Sequence, residues 1–315
     1  MRKIWRQLAQ LPLWFSACLA RVWPEPSNGK ASVKGSLLGL LILAMMPPAS
    51  TPGHTPGSEP ISRARRGHNN WVLTWSDEFN GPDGSSPDNH KWNVQTGGSG
   101  WGNDELQYYT SRPQNVRQEN GDLVIEARKE SFVGPDGVRR NFTSARITTE
   151  RLFSQKYGRF EARIQVPSGQ GVWPAFWLLG TNVPETGWPE CGEIDVMENV
   201  GREPGVIHGT IHGPGYSGAT PLTTAYTLSQ GHFSDGFHIF TVEWEPGEIR
   251  FYVDGELFST KRSADIPPGT HWVFDHPFFL ILNLAVGGHL PGSPDASTSF
   301  PQRMLVDYVR VYARM

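Results

Sequence analysis

The fold class is decided by the stretch Ile249-Arg250-Phe251-Tyr252-Val253-Asp254-Gly255-Glu256-Leu257-Phe258-Ser259. The runs Ile249–Val253 and Leu257–Ser259 are rich in the aromatic and β-branched residues that favour strands. Asp254-Gly255 between them is a strong signal for a two-residue turn, since both central positions of such a turn take positive φ. The stretch therefore predicts an antiparallel β-hairpin.

Short segments of the same kind recur from Trp71 onward, and Gly, Pro, Asn and Asp separate them. The clearest are Leu123–Arg128, Arg159–Val166, Phe237–Glu245 and Met304–Tyr312. No helical stripe of apolar residues stands out in this region. Many short strands joined by tight turns predict an all-β fold of two packed antiparallel sheets, a sandwich or a jelly roll.

Three carboxylates lie within six residues in Glu193-Ile194-Asp195-Val196-Met197-Glu198. Strict alternation along a strand would turn the last glutamate into the core, but a β-bulge at Val196 or Met197 returns it to the side of the other two acids. The two glutamate Cα atoms would then lie roughly 13 Å apart. Their side chains can lean together to the ~5–5.5 Å separation of a retaining glycosidase. The alternative is a polar strand edge without chemistry.

This hexapeptide resembles the signature of glycoside hydrolase family 16, in the longer variant with an extra residue before the last glutamate. Further segments resemble the laminarinase (endo-1,3-β-glucanase) branch of that family: Trp101–Thr110, Ser144–Arg146, Gly171–Gly180, Val206–His212 and Phe278–Gly288. One departure is His289-Leu290-Pro291, where the branch commonly has Asn-Trp-Pro. An aromatic sugar platform is therefore expected to be missing at Leu290.

The resemblance implies a jelly-roll sandwich of two curved antiparallel sheets with an open concave substrate cleft. It also implies Glu193 as nucleophile, Glu198 as general acid/base and Asp195 as an electrostatic partner between them. Like charges held close together raise one pKa, so two carboxyl groups can differ in protonation. The expected function is a retaining endo-β-1,3-glucanase that acts by double displacement on a β-glucan.

Candidate substrate-binding residues surround the acidic motif. Trp173 and Trp177 lie four apart on one predicted strand, so they share a face and can stack on sugars. Trp188 precedes the acid strand, and His212 belongs to a strand expected to pair with it. Packing in the core is the alternative role for these side chains. The full predicted set is Trp101, Asn103, Glu105, Arg146, Trp173, Trp177, Trp188 and His212.

Two further side chains near the motif are assigned structural roles. Cys191 has no activating histidine or asparagine motif, so it is expected to be a buried small hydrophobe rather than a nucleophile. Asn283 interrupts an apolar run, where its amide must find hydrogen-bond partners.

A structural calcium is implied by the resemblance alone, with Glu78, the Gly121 carbonyl and Asp307 as ligands. Oxygen ligands from segments distant in sequence would tie both ends of the sandwich together, far from the catalytic strand. No metal motif is visible in the sequence itself. No cofactor is expected for catalysis.

The charge of the 315-residue chain is unevenly distributed. Residues 51–315 hold 22 Lys and Arg against 30 Asp and Glu, a net charge of −8. An acidic body argues against nucleic acid as a partner, because phosphate contacts need Lys and Arg. A neutral polysaccharide is compatible with it, and a monomer is expected.

Residues 1–50 have the pattern of an export leader, in which Lys30 and Lys34 precede the apolar run Leu37–Met46 and small residues follow. About ten apolar residues are too few to span a bilayer. We expect a secreted or periplasmic protein. The pattern is compatible with a leader that is cleaved and with one that is kept as an anchor. Residues 51–69, rich in Pro, Gly, Ser and His, predict a flexible linker before a catalytic domain at 70–315.

Two other functions are compatible with these patterns. One is another family 16 hydrolase with the bulged motif, such as a β-agarase or a galactan hydrolase. The other is a non-catalytic β-glucan-binding module. Relatives of that kind typically lose one or both glutamates, whereas this chain keeps Glu193 and Glu198.

Overall fold

The computed structural model describes residues 70–315, so the predicted leader and linker lie outside the described residues. Residues 70–315 form seventeen strands and one short helix. In chain order these are β1 (Trp71–Asp77), β2 (Asn93–Gln95), β3 (Gln107–Tyr109), β4 (Val116–Glu119), β5 (Asp122–Val133), β6 (Arg139–Ser144), β7 (Arg146–Thr148), β8 (Gly158–Gln165), β9 (Val172–Gly180), α1 (Val183–Thr186), β10 (Glu193–Glu198), β11 (Val206–His212), β12 (Leu222–Thr227), β13 (His238–Glu245), β14 (Glu248–Val253), β15 (Glu256–Arg262), β16 (Phe278–Val286) and β17 (Gln302–Arg314).

The strands form two packed sheets. A ten-stranded sheet has the order β15-β14-β13-β8-β17-β5-β6-β3, with β1 beside β17 and β4 beside β5. A seven-stranded sheet has the order β12-β11-β10-β9-β16-β7-β2. The pairings are antiparallel, except that β3 and β6 run parallel. The predicted all-β sandwich is confirmed.

The Asp254-Gly255 turn connects β14 and β15 as predicted. Val253 pairs directly with Glu256, which leaves the two turn residues unpaired. Their φ angles are +50° and +83°. Both central residues therefore adopt the left-handed conformation that matches the twist of the flanking strands.

The core lies between the sheets and positions the acid strand β10. All nine residues of β16 are buried, because it is a central strand that lies between β9 and β7. From β10, Ile194 enters the same core and is fully buried. Burying such a side chain contributes ~1.5–3 kcal/mol, so the core holds β10 in place. Among residues 70–315 no helix is long and apolar enough to cross a membrane.

Candidate active site

A β-bulge in β10 aligns the three acids. Asp195 pairs with Trp177 of β9 and Met197 pairs with Phe176, so Val196 is the extra residue. Val196 and Met197 both point into the core. The bulge thus returns the last acid of the motif to the face of the first two, which we call the cleft face.

Each glutamate of the acid motif accepts a hydrogen bond from a tryptophan. Trp188 Nε1 donates to Glu193 Oε2 at 2.8 Å, and Trp173 Nε1 donates to Glu198 Oε1 at 3.0 Å. Trp188 is 47% exposed, so its ring also remains open to a ligand. The sequence predicted these tryptophans only as stacking surfaces. Their N–H groups favour the ionised carboxylates, which is a second role.

His212 and Asp195 form the centre of the site. In the register of β10 and β11, His212 lies opposite Glu193. Its Nε2 atom is 3.1 Å from Asp195 Oδ2 and 3.8 Å from Glu193 Oε1. Within the described chain, Asp195 Oδ2 and His212 Nδ1 are buried without a hydrogen-bond partner. The prediction that His212 lies beside the acid strand is confirmed.

Burial and mutual repulsion raise the pKa values of the three acids. Burial raises the pKa of Glu193 to about 8, and the charge of Asp195 adds to the effect. Burial and the charge of Glu193 raise the pKa of Glu198 to about 7. Burial raises the pKa of Asp195 well above its ordinary range. The three carboxyl groups therefore cannot all be ionised at neutral pH, and one of them can serve as an acid beside an ionised neighbour.

Replacing Glu193 by Gln is expected to stabilise the fold more at pH 8.5 than at pH 5. The pKa of Glu193 rises from 4.5 to about 8 on folding, so between these values the folded protein holds a proton that the unfolded chain has lost. Glu193 therefore lowers the free energy of unfolding. This destabilisation is absent below pH 4.5 and grows as the pH rises toward 8. We expect the melting temperature of the variant to rise by roughly 2–4 °C at alkaline pH. Calorimetry at both pH values tests this. The exposed Glu185→Gln should show no such difference. An equal gain in melting temperature for Glu193→Gln at both pH values would contradict the prediction.

Arg146 joins two of the predicted aromatic residues. Its guanidinium carbon lies 4.9 Å from the Trp101 ring centroid and 4.7 Å from the Trp177 ring centroid. Its Nε atom donates to Gln95 Oε1 at 2.5 Å. Two aromatic faces and a hydrogen bond fix the guanidinium, which presents its remaining donors in a constant position.

The Glu105 carboxylate accepts hydrogen bonds from neighbouring protein side chains. Glu105 is 5% exposed, and its carboxylate accepts hydrogen bonds from Gln107 Nε2 at 2.5 Å, Tyr109 Oη at 3.3 Å and Asn103 Nδ2 at 3.4 Å. Burial raises its pKa. Because protein donors occupy its oxygens, Glu105 holds the loop before β3, while the half-buried Asn103 lies nearer the surface.

Strand register extends the site across the seven-stranded sheet. One row of side chains on the cleft face runs through His208, Glu198, Ala175, Asn283, Arg146 and Gln95. It crosses six strands, and at ~4.8 Å per strand it is roughly 24 Å long. A row of this length, with tryptophans beside it, can accommodate several units of an extended polymer.

Comparison with known proteins agrees with this geometry. The profile of the glycosyl hydrolases family 16 matches residues 103–310. The chain belongs to family 16. It is therefore a glycoside hydrolase, and the acid motif lies inside the matched region.

Three relatives illustrate the similarity. The β-glucanase of Rhodothermus marinus is 44% identical over 250 residues, which cover 77% of this chain and 85% of that protein. The glucan endo-1,3-beta-glucosidase A1 of Niallia circulans is 41% identical over 76% of this chain, but the match spans 37% of that longer protein. The crystal structure of the laminarinase catalytic domain from Thermotoga maritima MSB8 is 50% identical, with a TM-score of 0.74, and the match covers 78% of this chain and 100% of that domain. Jelly-roll architecture is confirmed by this likeness.

Sequence reasoning missed part of the site of this family 16 enzyme. Gln95 lies in a three-residue strand that has no signal in the sequence, yet it fixes Arg146. Asn283 accepts a hydrogen bond from Trp177 Nε1 at 2.7 Å and donates to Tyr109 Oη at 3.1 Å. The expectation that its amide finds partners is confirmed, and those partners are protein groups.

Cys191 is fully buried, and burial raises the pKa of its thiol to about 11. It stays protonated at neutral pH, so its predicted structural role is confirmed.

Leu290 is 43% exposed at the point where the laminarinase branch commonly has a tryptophan. Arg202 holds this loop by donating to the Leu290 and Pro291 carbonyls.

The implied calcium ligands lie along β17, on the ten-stranded sheet. Asp77, beside Glu78, pairs with Val309 of β17, and Leu123, two residues after Gly121, pairs with Val306. Both places adjoin Asp307, so the strands bring the three implied ligands to one part of the sheet.

The donors at this place are of the type that calcium takes. Asp307 also adjoins Asp122, whose pKa is raised by burial and by the charge of Asp307, and a cation would relieve that repulsion. Competing ion pairs are present, since Arg310 contacts Glu78 and Arg163 contacts Asp307 at 2.6 Å. The donor chemistry therefore fits calcium, and an ion would have to displace or share these arginines.

Proposed function

We propose that this family 16 protein is a retaining endo-β-1,3-glucanase. The observation that carries the proposal is the bulge at Val196, which brings Glu193 and Glu198 to one face, each with its own indole donor. The aromatic and arginine-lined row beside them supplies binding surface for a polymer. The similarity to a glucan endo-1,3-beta-glucosidase and to a laminarinase supports β-1,3-glucan as the substrate.

Glu193 attacks the anomeric carbon while Glu198 donates its proton to the departing glycosidic oxygen. The glycosidic C–O bond breaks, and an ester bond to Glu193 forms. Glu198, now ionised, takes a proton from water, whose oxygen attacks the same carbon and releases Glu193, so configuration is retained. The free protein places the higher pKa on Glu193, whereas a nucleophile must be ionised. The assignment of roles rests therefore on the match to the family motif.

Reducing-end release from laminarin, lichenan and agarose by the full chain tests the proposal, with Glu193→Ala as control. Fastest release from laminarin, lost in the variant, is expected. Release from agarose alone would keep the mechanism and change the substrate to a galactan. Tight laminarin binding without release from any polymer would favour the glucan-binding alternative.

Replacing Trp188 by Phe is expected to move the acidic limb of the kcat/KM profile upward by roughly one pH unit. The indole N–H lowers the pKa of Glu193, so its loss raises that pKa, and the nucleophile becomes ionised only at higher pH. The phenyl ring keeps a stacking surface. Trp177→Phe is the matched control, because its N–H donates to Asn283. An acidic limb that moves equally in both variants would contradict this role.

A structural calcium near Asp307 is a further part of the proposal, supported by the donor chemistry and the adjacent Asp122. An ion at ~100 times its Kd would add about 2.7 kcal/mol of stability. We therefore expect 2 mM CaCl₂ to raise the melting temperature by roughly 5 °C over EDTA. Scanning calorimetry of the wild type and Asp307→Asn tests this, and only the wild type should respond. Identical melting in calcium and EDTA would contradict the site.

We also propose that the enzyme acts outside the cytoplasm. The support is the export pattern of residues 1–50, which lie outside the described part of the chain. N-terminal sequencing of the protein from the culture medium, periplasm and membrane fraction would decide between a cleaved leader and an anchor.

A further inference from the structure

Glu193, Asp195 and His212 offer three ligand atoms that lie within 4.8 Å of one another. Among residues 70–315 this is the one group of three His, Cys, Asp or Glu side chains close enough to hold a metal ion. Asp195 is 3% exposed, and its Oδ2 atom meets no hydrogen-bond geometry in the described chain, although it lies 3.1 Å from His212 Nε2. A buried carboxylate oxygen that faces an imidazole nitrogen at this distance is well satisfied when both atoms bind one cation.

We propose that these three residues form an inhibitory site for a divalent transition metal, with Zn²⁺ as the best match. In tetrahedral zinc sites, bonds of about 2.0–2.2 Å to nitrogen and oxygen place neighbouring ligand atoms about 3.3–3.6 Å apart. His212 Nε2 lies 3.1 Å from Asp195 Oδ2 and 3.8 Å from Glu193 Oε1. The third pair, an oxygen of Glu193 and one of Asp195, lies within 4.8 Å. Side-chain movements of about 1 Å would therefore bring the three atoms to coordination distance.

The ligand set selects the class of metal. An imidazole nitrogen with two carboxylate oxygens suits zinc and copper, whereas calcium and magnesium prefer oxygen ligands alone. The side chains of Glu193 and His212 are 18% and 14% exposed, so an ion can enter from the cleft and keep a fourth position for water. A divalent ion also offsets the repulsion between Glu193 and Asp195.

The affinity should be moderate. Histidine ligands in tight zinc sites usually donate their second N–H to a carboxylate or a carbonyl, which fixes the ring. His212 Nδ1 has no such partner in the described chain. We therefore expect a Kd of roughly micromolar, which suits reversible inhibition rather than a permanent structural ion.

Binding and inhibition depend on different premises. The zinc site depends only on the positions of the three side chains. Inhibition rests on the proposed function, because a zinc ion bound to Glu193 engages the lone pair that would attack the anomeric carbon. Zinc and substrate then compete for this residue, so zinc should raise KM on laminarin with little change in kcat.

Isothermal titration of the full chain with ZnCl₂ at pH 7.5, after removal of metals by EDTA and dialysis, tests the site. We expect zinc affinity to fall at least tenfold in His212→Gln and in Asp195→Asn. His208→Gln is the matched control, because His208 lies on the same strand and face but opposite Glu198, and its affinity should stay within twofold. All other histidines are unchanged, so the difference between the two histidine variants isolates this site.

Two further readouts keep the test decisive. Circular dichroism shows which variants fold, and Asp195→Asn or the isosteric Glu193→Gln replaces His212→Gln if that variant does not. Cu²⁺ bound to the wild type should show imidazole nitrogen coupling in its electron paramagnetic resonance spectrum, lost in the His212 variant. Equal zinc affinity in the two histidine variants, or no saturable binding below 1 mM, would overturn the proposal. An inactive protein that still binds zinc as expected would overturn the proposed function instead.

Discussion

Glu193→Ala is expected to lower kcat on laminarin by roughly 10⁴-fold or more while the protein remains folded. The variant lacks the oxygen that forms the ester bond to the anomeric carbon. No other side chain of the acid motif is positioned to form this bond in its place. Glu193 sits at the start of β10 with its backbone paired on both sides, so removing the side chain leaves the strand in place. Steady-state kinetics with laminarin measure the loss of kcat, and a thermal melt of the variant shows that it remains folded.

Azide makes this experiment specific to the nucleophile. In Glu193→Ala the small anion can occupy the vacated space and attack the same carbon, which gives an α-glycosyl azide from an activated β-glycoside. That product has the opposite configuration to the substrate, because a single displacement inverts the centre. A β-glycosyl azide, or a rate near that of the wild type, would contradict the assignment of Glu193.

Glu198→Ala should show the second largest effect, and the effect should depend on the leaving group. Cleavage of laminarin is expected to fall by roughly 10³-fold or more, because its glycosidic oxygen must be protonated as it departs. A dinitrophenyl β-glucoside chain needs no such proton, so the first step should stay fast and the ester to Glu193 should accumulate. Burst kinetics with this substrate measure the difference.

Azide again separates the roles, since it can attack the accumulated ester in place of water. The product from Glu198→Ala should be a β-glycosyl azide, formed by two inversions. Trp173→Phe is a useful companion variant, since Trp173 donates to Glu198 and leaves the acid in place. If the dinitrophenyl substrate lost as much rate as laminarin in Glu198→Ala, Glu198 would not be the proton donor.

Local patterns predicted the elements of the fold well. Asp254-Gly255 specified its hairpin because turn chemistry depends on two adjacent residues. The bulge in β10 followed from the need to place three acids on one face, and the structure assigns it to Val196. These features depend on short-range geometry, which one sequence can reveal.

Features that depend on distant pairings could not be predicted in the same way. Gln95 and Arg146 lie opposite each other only because β2 and β7 pair across more than fifty residues. Likewise, the indole of Trp173 reaches Glu198 because β9 and β10 are neighbours. Aromatic residues in a sugar cleft suggest stacking, and nothing in their spacing indicates a hydrogen-bonding role for their N–H groups.

Glu105 illustrates a different reason for incomplete prediction. A polar residue in a cleft segment could contact either sugar or protein, and sequence alone does not show which donors surround it. The structure places Gln107, Tyr109 and Asn103 around its carboxylate. These contacts support the loop before β3, and the predicted contact of Glu105 with substrate stays a prediction.

The most direct test of the central claim follows the first product formed from laminarin by proton NMR. If Glu193 and Glu198 act by double displacement, the new reducing ends should appear first as the β anomer and only later equilibrate to the α anomer. The products should be oligosaccharides of mixed length, as expected for cuts inside the chain, and Glu193→Ala should form none. Initial appearance of the α anomer would contradict the mechanism, and glucose as the sole product would contradict internal cleavage.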